Sequence, residues 1–410
     1  MEEVEKEENQ QVLRVLELLK QASHELQSNP SQEPTESNSV AIKALLELET
    51  ESDTILSDPY LSQLSKHLSY LKTLVETLQK TQGHSLRAFL RRRVSSHQIA
   101  RVAESIECEI QAWIDRESIE TLVKALHNHG LDSKSPDSES EAELIHLLTQ
   151  FQDRVSQGFN RELQDLVLKA RVFSELEAIL CNPDHSKKLR EEVAFTIEAL
   201  IRFNKNVFVG QVLMGPTIQA LVSMASTSSL KVLCSLIRSI KSPLVDEIES
   251  NHEIPNIISF LSSEDLAIQV LGFDCVLEIG YFGRKEAIEA MIREQIVEKL
   301  VELQRSELGG DLIDVGNYEE TETVTETEEG ERQQGSGKMK RKESREKYLE
   351  THPFASCVAR FAVQLEVGEG LRQREKRAFK QEILRRVREA SVSDAEAATI
   401  QAEVLWGSSP

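Results

Sequence analysis

Aromatic residues make up only 5% of this 410-residue chain. That is too few for a β-sandwich, for a platform that stacks nucleic-acid bases, or for an antibody-like surface. No stretch approaches the roughly 18–20 uncharged apolar residues of a membrane span, so no transmembrane segment is expected. Positive charge is also in deficit, with 48 Lys+Arg against 69 Asp+Glu and a net charge of −21. This disfavours DNA or an anionic lipid surface as a partner for the whole molecule, leaving only local basic patches for such contacts. The five cysteines, Cys108, Cys181, Cys234, Cys275 and Cys357, are odd in number, widely spaced and never in C-x-x-C. They read as small core hydrophobes in a reducing intracellular compartment. The acidic N-terminus MEEVEKEENQ does not have the character of a secretory or organellar targeting peptide. A cytoplasmic location is the expectation.

Catalytic motifs are missing as well. Gly335-Ser336-Gly337-Lys338 has the look of the end of a phosphate-binding loop, but Arg332 and Met339 stand where that motif needs Gly and Ser/Thr. There is no G-x-S-x-G, no H-E-x-x-H and no EF-hand loop. Cys275 lies beside Asp274 and near Glu278, which raise a thiol pKa rather than lower it, so it reads as core and not as a nucleophile. His127 and His129 are two apart, do not share a helix face, and have no further ligand at metal spacing. They read as a helix-end turn before Gly130. The expectation is a protein that is not an enzyme and needs no cofactor or metal.

What is present is helical. Apolar residues reach 40% and charged residues 29%, and the residue types that fill the chain, Leu, Glu, Ala, Ser, Lys, Arg, Ile and Val, fit helices better than sheets. Residues 1–130 read as an up-and-down helical bundle. A helix over 12–26 is followed by a second behind an N-cap at Ser39. A third opens at Asp58-Pro59 with a stripe of Leu61, Leu64, Leu68, Leu71, Val75 and Leu78. A fourth is expected from Ser85 to Trp113, then a short one through His127. Arg87, Arg91, Arg92, Arg93 and Arg101 put guanidiniums on that fourth helix, a basic patch or simply a solvated face. The Ser/Asp/Pro-rich stretch 131–140 is a linker.

Beyond the linker the chain repeats. PTIQALVSMAS, IPNIISFLSSE and QIVEKLVELQR superimpose, with Ile218, Ile257 and Val297 stepping by 39 and 40 and Val222, Leu261 and Val301 keeping the same steps. Leu200, Ile240 and Gly280 step by 40 in the helices between them. Each unit holds a long apolar helix, a break at Asn204, Pro243 or Gly283, a short helix, and another long one. Units of this period with three helices have the signature of armadillo repeats. The chain resembles the armadillo-repeat superfamily over residues 160–305, and again from His352, where PFASCVARFAVQLEVGEG is similar to a first helix. It resembles plant members of that superfamily, and its N-terminal bundle is weakly similar to the helical domain that precedes the repeats of plant U-box ligases. Nothing resembles the U-box itself. The resemblance implies an all-α fold, an armadillo-type right-handed α-solenoid preceded by an N-terminal helical bundle. The repeats would span 141–308, and 348–410 would be a terminal repeat with a basic capping helix. Leu200, Leu236, Leu271 and Phe361 are expected in the shared core.

Residues 309–347 interrupt the pattern. Nine acidic residues and no basic ones fill 311–331, and Lys338-Met339-Lys340-Arg341-Lys342 follows. Such a composition does not bury apolar surface and predicts disorder. The basic run would place the protein in the nucleus if it acts as a localisation signal. The armadillo resemblance implies a scaffold whose third helices line a groove for a peptide or protein partner of unspecified identity. Groove slots fall at Gln219, Ser223, Ile258, Ser262, Glu298 and Glu302, neutral at one end and acidic at the other. Import receptors of this superfamily use Trp and Asn ladders there, whereas Trp113 and Trp406 lie outside these helices. Two alternatives stand beside this reading: a ubiquitin-pathway component without a U-box, and a polyanion or membrane-surface binder. The latter would use the arginine run above and Arg372, Arg374, Lys376 and Arg377.

Overall fold

The computed structural model describes residues 62–80, 86–131, 138–311 and 347–406, together with Lys20, Gln21 and His24. The caps expected at Ser39 and Asp58, most of the first two helices, residues 132–137 of the linker, and Lys338–Lys342 lie outside the described residues. All regular elements among the described residues are helices. They form two compact units. Of the described residues, one unit comprises those up to Asn128 with Asn160–Val172, and the other those in His129–Phe159 and from Phe173 onward.

In the first unit, α1 (Ser62–Lys80) buries Leu64, Leu68, Leu71 and Leu74, a stripe at steps of three and four. The next helix corrects the sequence reading. No break follows Trp113, because α2 runs unbroken from Leu86 to Leu131. Its buried stripe passes from Ile106 and Ile110 through Asp115 to Ile119, Leu122 and Leu126. Asp115, a residue type that often caps a new helix, instead accepts a hydrogen bond from the Gln111 amide at 2.6 Å, one turn back on the same helix. Arg87, Arg91, Arg92 and Arg93 fall on α2, but their side chains lie outside the described residues; Arg101 is exposed. This unit also holds α4 (Arg161–Lys169), capped by Asn160, whose side-chain oxygen accepts from the Leu163 N–H at 2.9 Å.

The second unit is an armadillo-type stack. Its first helices are α3 (Ser138–Ser156), the front of α6 (Lys187–Met214), α8 (Thr227–Ile240), α11 (Leu266–Phe282) and α14 (Cys357–Val367), each packed on the next. Short second helices follow: the back of α6, α9 (Ser242–Ser250) and α12 (Lys285–Arg293). Third helices are α5 (Val172–Cys181), α7 (Thr217–Met224), α10 (Ile254–Ser259) with a 3₁₀ turn over Phe260–Ser262, and α13 (Ile296–Arg305). The three expected breaks are real and each has its own cause. Asn204 leaves helical geometry at φ −154°, ψ 90°. Lys241 takes φ +70° just before Pro243, which sits in the first turn of α9 where its missing N–H is not needed. Gly283 caps α11.

Leu200, Leu236 and Phe361 are fully buried, as are Ile218, Ile257 and Val297. Leu271 is the exception: it is only half-buried, because the packed face of α11 runs through Phe273, Val276, Ile279 and Gly280. A Cβ on Gly280 would stand 3.1 Å from the Phe361 ring, so the small residue lets α14 approach α11. The chain on either side of residues 312–346 is drawn together: Phe354 N–H donates to Leu308 O at 3.1 Å and Ser356 N–H to Gly310 O at 2.8 Å. The interruption falls between α13 and α14, and Gly309–Asp311 belong to the stack. Closing the unit are α15 (Gln373–Ala390) and α16 (Asp394–Trp406). Among the described residues no single helix is long and apolar enough to cross a membrane.

Candidate functional site

A cleft of about 550 Å³ lies between the third helices α7 and α10. One wall carries Pro216, Gln219, Ala220 and Ser223; the other carries Glu253, Asn256, Ser259 and Phe260, with Cys181 at the end of α5. On α7, Gln219 and Ser223 are exposed, four residues apart, while Ile218 and Val222 beside them are buried. Thr217 anchors this helix by donating its hydroxyl to Glu177 on α5 at 2.6 Å. On α10, the Asn256 amide donates to the carboxylate of Glu253 at 2.8 Å, and Glu253 is only 8% exposed. The Cys181 thiol is pushed above its ordinary pKa, first by burial and then by the Glu177 carboxylate, with Arg190 opposing. It stays a neutral thiol at the edge of the cleft.

Gln219 and Ser223 therefore stand in the groove. Ile258 does not: it is 1% exposed and belongs to the core. The reason is local. Helix α10 has six residues before it tightens into a 3₁₀ turn, and it packs against both α11 and α12. The residue after the core Ile257 thus faces those helices, whereas the residue after Ile218 faces the cleft. Asn256, Ser259 and Phe260 take the lining role instead, and Ser262 is exposed beyond them. Sequence reasoning missed these three together with Glu253. The signal available was Ile254-Pro255, which starts the helix abruptly and shifts its exposed face.

The acidic end of the row is differently placed. Glu302 is exposed, but Glu298 is held by the chain itself. Its Oε1 accepts from Arg386 Nη1 on α15 at 2.9 Å, and its Oε2 is buried without a hydrogen-bond partner. Arg386 also donates to Glu382 at 2.8 Å. Glu298 is therefore not an open acidic slot of the groove, because Arg386 already fills that place. Several cations of the basic C-terminal helix are spent inward in the same manner. Lys376 donates to the carbonyls of Glu366 and Gly368, both at 2.8 Å, and Lys380 pairs with Glu366 at 2.8 Å. Arg372, Arg374 and Arg377 are exposed.

Among the described residues no group of three or more His, Cys, Asp or Glu side chains is arranged to hold a metal ion. His129 is bonded to the Ser140 hydroxyl at 2.8 Å.

No protein-family model and no curated protein matches the chain. Solved structures do. A designed armadillo repeat protein is 14% identical, with 70% of this chain and 98% of that chain covered at a TM-score of 0.38. Another, solved in complex with the peptide (KR)4, is 15% identical over 70% of this chain and 98% of that one, at a TM-score of 0.38. An engineered protein is 15% identical over 97% and 98% of the two chains, again at a TM-score of 0.38.

Proposed function

We propose that the protein is an interaction scaffold that takes an extended segment of a partner protein in the cleft between α7 and α10. The observation that carries this reading is the lining. Exposed amide and hydroxyl side chains, Gln219, Ser223, Asn256 and Ser259, project from two rigid helices over a buried carboxylate at Glu253. Amides and hydroxyls donate and accept in the pattern that peptide groups need, and helices fix them in place so that little side-chain entropy is lost on binding. Phe260 adds an apolar patch for one side chain of the ligand. The reading places the protein among non-catalytic adaptors, in the cytoplasm.

The test is selection of peptides from a displayed random library against the full chain, repeated with Ser223→Trp. Ser223 is exposed, so the indole fills the cleft without entering the core. Peptides that bind the parent and lose at least about tenfold affinity, roughly 1.4 kcal/mol, to the variant at unchanged melting temperature support the cleft as the site. Selected peptides that bind both proteins equally refute it.

A further inference from the structure

The stacked first helices α8 and α11 bring two thiols together. Cys234 Sγ and Cys275 Sγ are 2.9 Å apart, with Cys234 4% exposed and Cys275 fully buried. They are 41 residues apart in the chain, about one repeat, so the repeat itself sets them side by side. One turn further along both helices, Arg238 Nε donates to Glu278 Oε1 at 2.6 Å. Arg238 is four residues from Cys234 and Glu278 three from Cys275, so the ion pair and the thiols share one face of each helix. That bridge spans α8 and α11 beside the thiols. A disulfide needs sulfurs at about 2.0 Å, and the two thiols stand at 2.9 Å.

We infer that Cys234 and Cys275 are a modification site: an inter-repeat disulfide that forms on reaction with a hydroperoxide. The roles of the two thiols differ. Cys275 is pushed well above the ordinary thiol range by its hydrogen bond to Cys234, by burial, and by the Asp274 and Glu278 carboxylates. It therefore holds its proton, and Cys234, which alone of the pair retains some surface, meets the oxidant first. The Cys234 sulfur attacks one peroxide oxygen and the O–O bond breaks. Cys234 becomes a sulfenic acid, and water leaves when the oxidant is hydrogen peroxide. The Cys275 sulfur then attacks the Cys234 sulfur, the S–O bond breaks, and a second water departs with the Cys275 proton. Two thiols lose two electrons and two protons, and one peroxide is reduced to two waters.

The bond would tie together the supports of the cleft, since α8 packs on α7, and α11 packs on α10 and its 3₁₀ turn. Opening of the stack between these repeats, which reduced thiols permit, is then blocked. Formation of the disulfide does not depend on what the cleft binds.

The experiment treats the folded full chain with hydrogen peroxide, denatures it, alkylates free thiols and maps peptides without reduction. Exposed Cys108 reports that the oxidant has acted. The expected result is a cross-linked pair of peptides containing Cys234 and Cys275, reversed by dithiothreitol. The melting temperature should rise by roughly 5–10 °C in the oxidised form and return on reduction. Cys275→Ala should leave Cys234 as a sulfenic acid that a dimedone probe labels. Two outcomes overturn the inference: both thiols remain alkylated when Cys108 is oxidised, or Cys234 pairs elsewhere or advances to sulfinic acid in the parent protein. Either result is read on the parent chain, so it stands even if the variant folds poorly.

Discussion

The contact between Arg386 on α15 and Glu298 on α13 joins residues 88 apart across the insertion, and a double-mutant cycle measures it. The two side chains are 20% and 30% exposed, so solvent screens the pair only in part. Their separate removals should be unequal. Glu298→Ala leaves Arg386 bonded to Glu382 at 2.8 Å, so the loss is about 1 kcal/mol, that of one charge-assisted hydrogen bond with its partner still satisfied. Arg386→Ala strands Glu298, whose Oε2 already lacks a partner, and the cost rises to about 2–3 kcal/mol. The double variant should fall short of the sum by about 1–2 kcal/mol, the coupling of the pair. Urea unfolding followed by circular dichroism gives the global values. Because a repeat stack frays from its ends, hydrogen exchange of α15 amides gives the local ones. A coupling below about 0.3 kcal/mol with equal single losses would mean that α15 does not dock on α13 in solution. The acidic end of the groove would then be open rather than capped.

Two further outcomes are expected. Glu382 is held down to a pKa of about 2 by hydrogen bonds from Arg385 and Arg386. A carboxylate lowered on folding stabilises above its unfolded pKa of about 4.3 and loses that contribution as pH falls toward the folded value. The parent melting temperature should therefore drop between about pH 4.3 and 2 more steeply than that of Glu382→Gln, and superimposable acid limbs would contradict the assignment. At the α11–α14 contact, Gly280→Val places a Cβ 3.1 Å from the Phe361 ring and should cost about 1–3 kcal/mol by urea unfolding. Gly210→Ala, where nothing lies within 4 Å of the added carbon, should instead stabilise by roughly 0.5–1 kcal/mol; equal effects at the two glycines would refute the packing described for Gly280.

The fold was legible wherever one physical demand repeats. Burial must recur at each unit, so Ile218, Ile257 and Val297 mark the core in the sequence and are buried in the structure. Helix breaks depend on local backbone chemistry, and Asn204, Pro243 and Gly283 announce them without reference to the rest of the chain. The break expected after Trp113 is different: the helix runs on to Leu131, and Asp115 accepts from Gln111 one turn earlier inside it.

The site was legible only in part because a groove is a difference between neighbouring repeats, not a property of each. Carrying the position of Gln219 onto Ile258 assumes that α7 and α10 present the same face, and the shorter α10 with its 3₁₀ turn does not. Glu298 fails for a longer-range reason. Its charge and spacing describe an open acidic slot, and only docking of α15 brings Arg386 into it. Yet the repeat step that marks the core also carries information about chemistry between repeats. Adding about 40 to Cys234 lands beside Cys275, and adding 40 to Arg238 lands on Glu278. These two pairs, one period apart on α8 and α11, meet across the stack.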